Sequence, residues 1–410
     1  ISEIEEIDPI NHFAVFEKYL LNENDKKTVV DSHRSEFPYQ TFLELALFYH
    51  NRNIGNDAIK ALEIGPKHLL NSLWLAYLNQ NHMALSVLDG ESIAFVFPFR
   101  KESLNMLEWV VDRNPSWKAK YLMGLNLIGR SQILKGIQIF KDLGQNPDDH
   151  LFYYIRGMLF KKYQISGYQK DLKKAYKQSP KNWRYAFSLA EDHFKLGNSL
   201  ASLKIIQKTF NQDKDNYFAG MLLAQNLNKL KNYDKTINLL KDLKILPYEH
   251  ATEGRKIYTN AYVGSALQSI IKGDPVKATK RLNTSLLWPE HLGVGKPFNP
   301  EERWERFLLA YIEHKNKQTE RARKSLEYIA NISKEQLFKP SNNHLLGIYA
   351  IAEINGQEDA QKFVRQLLSS KHGSTTETKN LVEFYYANLE LEWSNNFVLK
   401  LSKFLNQKNE

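Results

Sequence analysis

Four small residues, Gly124, Gly157, Ala190 and Ala224, stand 33, 33 and 34 residues apart. A fixed period of this length marks stacked supersecondary units, none of which can bury its apolar face alone. The pattern inside each unit repeats as well. Twelve residues after the anchor stand Gly136, Ser202 and Thr236, and sixteen after it stand Phe140, Ile206 and Leu240. The same offsets recur around Ala46 (Ala58, Leu62), Ala266 (Ala278, Leu282) and Ala310 (Ala322, Leu326). After Gly157 the register slips: Gln169 and Lys173 hold those places, with Leu172 and Ala175 shifted by about one residue. A small residue in mid-helix and another early in the next helix let two antiparallel helices approach closely. The large apolar residue one turn later fills the space between successive pairs. Pro115, Pro147, Pro180, Pro247 and Pro289 end units, while turns at Lys195-Leu-Gly-Asn198 and Lys272-Gly-Asp-Pro275 separate paired helices.

Composition agrees with helices. Gly (19) and Pro (13) are too few in 410 residues for many short strands. Cysteine is absent, which excludes disulfide frameworks, thiolate metal sites, iron–sulfur clusters and cysteine nucleophiles. The net charge of +10 is scattered among Glu, Asp and Asn rather than gathered in basic blocks. Nucleic acid is therefore not an expected partner. The longest apolar run, Ile93 to Phe99, is too short to cross a membrane. A soluble protein is expected, in the cytoplasm rather than the periplasm, although a chain without Cys suits both.

Over most of their length these residues resemble tetratricopeptide repeats. The resemblance implies an all-α fold, a right-handed α-solenoid of tetratricopeptide-like helix pairs with loop inserts, running as one array over 1–410. Entry helices are expected over 1–36, about eight pairs over 37–374 with an irregular stretch at 67–115, and closing helices over 375–410. The later anchors, Ala224, Ala266 and Ala310, lie 42 and 44 residues apart, so two inserts separate those units.

Several segments fall outside the generic repeat: Asp8-Pro-Ile-Asn-His-Phe13, Phe95-Val-Phe-Pro-Phe-Arg100, Trp183-Arg184, Leu246-Pro-Tyr-Glu-His-Ala-Thr-Glu-Gly254 and Trp288-Pro-Glu-His-Leu-Gly-Val-Gly-Lys-Pro297. Together, from Asp8 to about Tyr311, they look like the C-terminal helical half of a family of large bacterial proteins of unknown function. In that family a β-sandwich half similar to carbohydrate-active enzymes precedes tetratricopeptide repeats. The resemblance implies that a sugar-binding β-rich half lies outside this chain, which begins at Ile1 rather than Met. Apolar residues alternating with period two, the mark of strands, are not found.

No standard catalytic motif occurs. Gly293-Val-Gly-Lys296 fails as a phosphate loop, because Glu290 stands where the first Gly belongs and Pro297 replaces the Ser or Thr. No cofactor is expected, and no His or Glu spacing makes a metal site. The inserts hold the candidate catalytic groups Glu249, Glu253, Glu290 and His291, since paired carboxylates can protonate a leaving oxygen and activate water. Trp288 could stack on a sugar ring. The favoured reading is structural: Pro, Gly and Trp fix inter-repeat loops, and the acids cap the next helix.

The remaining signal is a stripe on the first helix of each pair. It carries Tyr121, Tyr154, Arg184, Phe187, Phe218, Trp304 and Phe307, with Lys161, Lys162, Lys195 and Lys229 nearby. An aromatic and basic inner surface points to a partner. The expected function is a binding or support scaffold, the helical part of a larger carbohydrate-active protein. Its partner would be the β-rich domain of the same protein or a protein or peptide, with an oligosaccharide as a further candidate. The first alternative is the helical half of a glycoside hydrolase whose inserts complete the sugar site, with this chain alone inactive. The second is a stand-alone peptide-binding adaptor.

Overall fold

The computed structural model describes every residue except 23, 24, 34, 339, 371, 372, 374 and 407–410, and all other side chains but those of Ser2, Glu5 and Asn406. The last four positions of the expected closing helices thus lie outside the described residues. Among the described residues every regular element is a helix, and the fold is all-α. Backbone packing divides the chain into two compact units, Ile1–Tyr185 and Ala186–Glu410.

The first unit opens with the helices Ser2–Ile7, His12–Leu20 and Lys26–Ser32. Four pairs follow: Pro38–His50 with Gly55–Ile64, Leu69–Leu78 with Ser103–Arg113, Trp117–Gly129 with Ile133–Asp142, and His150–Lys162 with Tyr168–Gln178. The helices of the second pair are parted by residues 79–102, which hold the short helices His82–Ser86 and Val87–Gly90. In the second unit, Ser199–Gln212 follows the helix Trp183–Lys195. Then come Tyr217–Lys229 with Tyr233–Asp242, Glu253–Ile271 with Pro275–Ser285, Arg303–Lys315 with Thr319–Glu335, and His344–Asn355 with Gln357–Ser369. Thr376–Tyr386 and Asn395–Asn406 close it.

The small anchors pack as their spacing requires. A Cβ on Gly124 would stand 3.0 Å from the Phe140 ring, and one on Gly136 would fall 2.7 Å from the Gly124 carbonyl oxygen and 2.5 Å from Ile128. Ala190, Ala224, Ala266 and Ala310 are wholly buried, as are Ser202, Thr236 and Ala278. Phe140, Ile206, Leu240 and Leu282 fill the space beyond them. The slip after Gly157 is real: its neighbours across the pair are Leu172 and Asp171, and Leu172 and Ala175 are buried while Gln169 and Lys173 are exposed.

The turns obey a rule that the composition hides. Seven residues after the anchor the backbone enters the left-handed region at Asn53 (φ 59), Ser131 (62), Gln164 (56), Gly197 (81), Lys231 (58), Gly273 (75) and Lys317 (58). Each ends the first helix so that the next amide can reach back into it. Gln132 N donates to the Leu127 carbonyl at 2.9 Å and Asn232 N to that of Leu227 at 2.8 Å. Glycine occupies only two of these positions, so only those turns were legible.

One buried charge pair braces the first unit. Arg156, on a first helix, donates through Nε and Nη2 to both oxygens of Asp171 at 2.7 Å. Its Nη1 donates to the carbonyls of Phe140 (3.3 Å) and Gly144, at and beyond the end of Ile133–Asp142. A guanidinium thus satisfies carbonyls that a helix terminus leaves without partners.

Gly136→Val should overpack the pair and lower stability by about 1–3 kcal/mol or more. Lys231→Gly should raise stability by about 1 kcal/mol, because only glycine adopts that backbone without steric cost. Urea-denaturation midpoints followed by circular dichroism check both, and an unchanged Gly136→Val midpoint would overturn the close-approach account.

Candidate functional site

The two inserts lie together in the second unit because their bases are pinned. Ile245 N donates to the His291 carbonyl at 2.8 Å. His291 Nε2 lies 2.9 Å from the Leu240 carbonyl, which can only accept, so Nε2 carries the proton there. Gly254 sits where a Cβ would fall 2.3 Å from the Leu292 carbonyl oxygen. Gly293, at φ 68, faces the Ile245 carbonyl oxygen, which would stand 2.8 Å from a Cβ. Two backbones cross at these glycines.

The candidate acids do not share one partner. Glu253 begins the helix Glu253–Ile271, and its Oε2 accepts from the Tyr248 hydroxyl at 2.6 Å and from Thr252 N at 3.2 Å. The hydroxyl, then the backbone amide, hold its carboxyl below the usual range. Glu249 and His250 stand 3.5 Å apart at the loop tip, their side chains 88% and 90% exposed. Glu290 is exposed on the short turn Glu290–Leu292. Trp288 is half-buried; the Arg255 guanidinium lies 4.3 Å from its ring centre, and its Nε1 donates to Glu302 Oε1 at 3.4 Å. One face of the expected sugar platform already carries a cation.

Beneath the inserts lies a charge network that the sequence reading missed. Arg255 Nη1 donates to the carbonyls of Ser285 (2.5 Å) and Leu287 (2.8 Å), at the end of Pro275–Ser285, and Nη2 faces Glu305 Oε1 at 3.4 Å. Glu302, 1% exposed, meets Arg306 at 2.9 Å and Lys296 at 3.2 Å. Arg303, also 1% exposed, donates to Glu301 Oε1 (2.9 Å), Ser333 Oγ (3.1 Å) and Gln336 Oε1 (3.0 Å). Burial pushes the Glu305 carboxyl up to about 7; Glu301 and Glu302 add to this, while its own helix amide and Arg255 oppose it. The run Glu301-Glu302-Arg303-Trp304-Glu305-Arg306 reads as a solvated helix start, and only burial reveals otherwise. Among the described residues no group of three His, Asp or Glu side chains is placed to hold a metal ion.

The first-helix stripe divides into open and covered parts. Tyr121 and Phe307 are 3% and 1% exposed, contrary to their expected display. Their offset points between successive pairs, where Phe140 and Phe152 close on Tyr121 at 5.7 and 6.0 Å. Phe307 lies between Trp304 (5.9 Å) and Trp393 (6.2 Å). In the first unit Tyr154 is half-buried against Tyr185 at 4.6 Å, and the exposed Arg184 covers the Trp183 ring at 4.7 Å. In the second, Phe187 and Met221 are half-buried and Phe218 is 44% exposed. Phe218 meets Phe187 edge-on at 6.3 Å and stacks on Tyr217 at 4.3 Å. Trp304 is half-buried.

No protein-family model matches this sequence. No curated protein matches it either. Solved structures similar to it include a tetratricopeptide repeat protein from Parabacteroides merdae, with a TM-score of 0.31, 10% identity, and 81% of this chain and 99% of that chain covered. Another is Cut9–Hcn1 of the APC/C, with a TM-score of 0.33, 11% identity and coverages of 91% and 82%. Yeast Tom70 has a TM-score of 0.34, 16% identity and coverages of 94% and 89%. At such scores the likenesses decide nothing, and the fold rests on the chain's own helices.

Glu305 makes stability depend on pH. Its carboxyl titrates near 7 when folded and near its ordinary 4.5 when unfolded, so between these values the folded chain holds the extra proton. Its contribution to stability therefore falls as pH rises from about 4.5 to 7. His344 opposes this: burial first, then the Arg303 charge, lower it to about 4, so its contribution rises with pH between about 4 and 6.5. Subtracting the unsubstituted chain from Glu305→Gln isolates the first effect. That difference in urea midpoint should climb between pH 4.5 and 7 and level off above, whereas a flat difference would mean that Glu305 titrates normally in the fold.

Proposed function

We propose that this chain is a protein-interaction scaffold that holds peptide segments on the faces of its first helices. The observation that carries the reading is the row Phe187, Met221 and Phe218 in the second unit, partly exposed on successive first helices. Aromatic and thioether side chains on rigid helices offer adaptable apolar contact with little entropy to lose. The net charge of +10 steers acidic segments toward the chain. The partner is accordingly an apolar, acidic peptide, presented in trans or by a β-rich carbohydrate-active domain of the same protein.

The geometry speaks less for a glycoside-hydrolase half. Glu253 accepts from Tyr248 and the Thr252 amide, His291 meets the Leu240 carbonyl in the last turn of Tyr233–Asp242, and Arg255 covers Trp288. Glu249 and Glu290 are open to solvent rather than set in a cleft.

Short acidic peptides containing Leu and Phe should bind at about micromolar Kd, and Phe218→Ala should weaken them about tenfold. Fluorescence anisotropy checks this against circular dichroism of the variant. Equal affinity for both chains would remove Phe218 from the interface, and glycan turnover by this chain would overturn the scaffold reading.

A further inference from the structure

The helix Asn395–Asn406 is the last regular element of the second unit. Large apolar side chains, Phe397, Val398, Leu401 and Phe404, make its contacts. Those contacts reach back across the second unit to first helices. Trp393, just before it, stacks on His314 at 4.3 Å and lies 6.3 Å from Tyr311 and 6.2 Å from Phe307. The Tyr311 hydroxyl donates to Asn395 Oδ1 at 2.6 Å, joining residues 84 positions apart. Val398, 1% exposed, packs in one apolar cluster with Val263, Ile270 and Leu308. Phe397 meets Tyr349 at 5.3 Å, and Phe404 meets Phe384 at 4.5 Å.

One helical face thus carries Phe397, Val398, Leu401 and Phe404 inward, while Lys400 and Lys403 face solvent. Phe307 and Tyr311, under Trp393, belong to the same first-helix stripe as Trp304. Beyond the helix start a cavity of about 490 Å³ remains, lined by Ile270, Tyr311, Lys315 and Asn395. The resident helix does not fill the groove.

We infer that the face formed by the helices Glu253–Ile271, Arg303–Lys315 and His344–Asn355 is a groove for an amphipathic helix, occupied here by the chain's own C-terminal helix as an exchangeable ligand. A partner helix with the same spacing of apolar residues, preceded by an aromatic one, takes its place. The linker over residues 387–394 keeps the resident at high local concentration, so the groove opens only to a partner that binds more tightly or reaches the residual cavity. The inference rests on reading first-helix faces as binding faces, but it concerns only the covered part. Failure of acidic peptides at Phe218 would leave it standing.

The test uses the full chain and a labelled synthetic peptide of residues 388–406. Val398→Asp places a charge on the buried face of the resident, and Trp393→Ala removes its anchor more gently. Either should speed amide hydrogen exchange over 395–405 about hundredfold, with Arg303–Lys315 and His344–Asn355 still protected. The peptide should bind the Val398→Asp chain as a 1:1 complex, about tenfold or more tighter than the unsubstituted chain, whose groove is filled. If Val398→Asp unfolds the unit, Trp393→Ala decides by the same two readings. Simultaneous loss of protection in all helices of the unit by Trp393→Ala would make the segment integral core and overturn the inference. So would peptide binding to neither variant, or a dimer in which two copies exchange the segment.

Discussion

Everything in this chain depends on helices approaching where a side chain is missing. Gly136 fits against the Gly124 carbonyl because it carries no Cβ, Gly124 leaves room for the Phe140 ring, and small alanines are wholly buried at 190, 224, 266 and 310. Phe140, Ile206, Leu240 and Leu282 lie one turn beyond these close approaches and are buried there. The gain in apolar burial is therefore local and repeated rather than gathered in one centre, and each unit can carry loops without redesigning the rest.

A second device recurs where the pairs end. Arg156 and Arg255 each reach from a first helix to carbonyls at the end of a second helix, and each faces a buried carboxylate, Asp171 or Glu305. Arg303 does similar work against Ser333 and Gln336, with Glu301 alongside. Taking such charges out of water is costly, and the arrangement persists only because every guanidinium has several acceptors. Their fixed geometry favours one stacking register over others that apolar contact alone would tolerate. The raised Glu305 is the residue of that cost: one Arg at 3.4 Å does not offset burial among neighbouring acids.

The same stripe of first-helix positions is partly exposed and partly covered in the second unit. Phe218 is 44% exposed there, while Trp393 covers Phe307 and Tyr311. A face built from a repeat is extended by nature, so a terminal segment of the right amphipathicity can settle on part of it. The inserts behave differently: crossing at Gly254 and Gly293, they brace the scaffold at their bases and leave Glu249 and His250 in solvent.

Spacing alone determined the all-α class, the helix pairing, the buried anchors and even the slipped register at Gly157, because helix contacts within a pair are local and depend on side-chain size at fixed intervals. The left-handed turns were legible only at Gly197 and Gly273. Asn53, Ser131, Gln164, Lys231 and Lys317 adopt the same backbone with a Cβ, and no residue type announces it. Tertiary structure decided which stripe residues are displayed, since Phe187 shares the offset of Tyr121 and Phe307 yet stays partly exposed while they are buried. It also decided the fate of the charges at 301–306 and the docking of Trp393, 79 residues beyond His314. Burial of a charge and contact between distant helices are properties of the stack, and a local pattern carries neither.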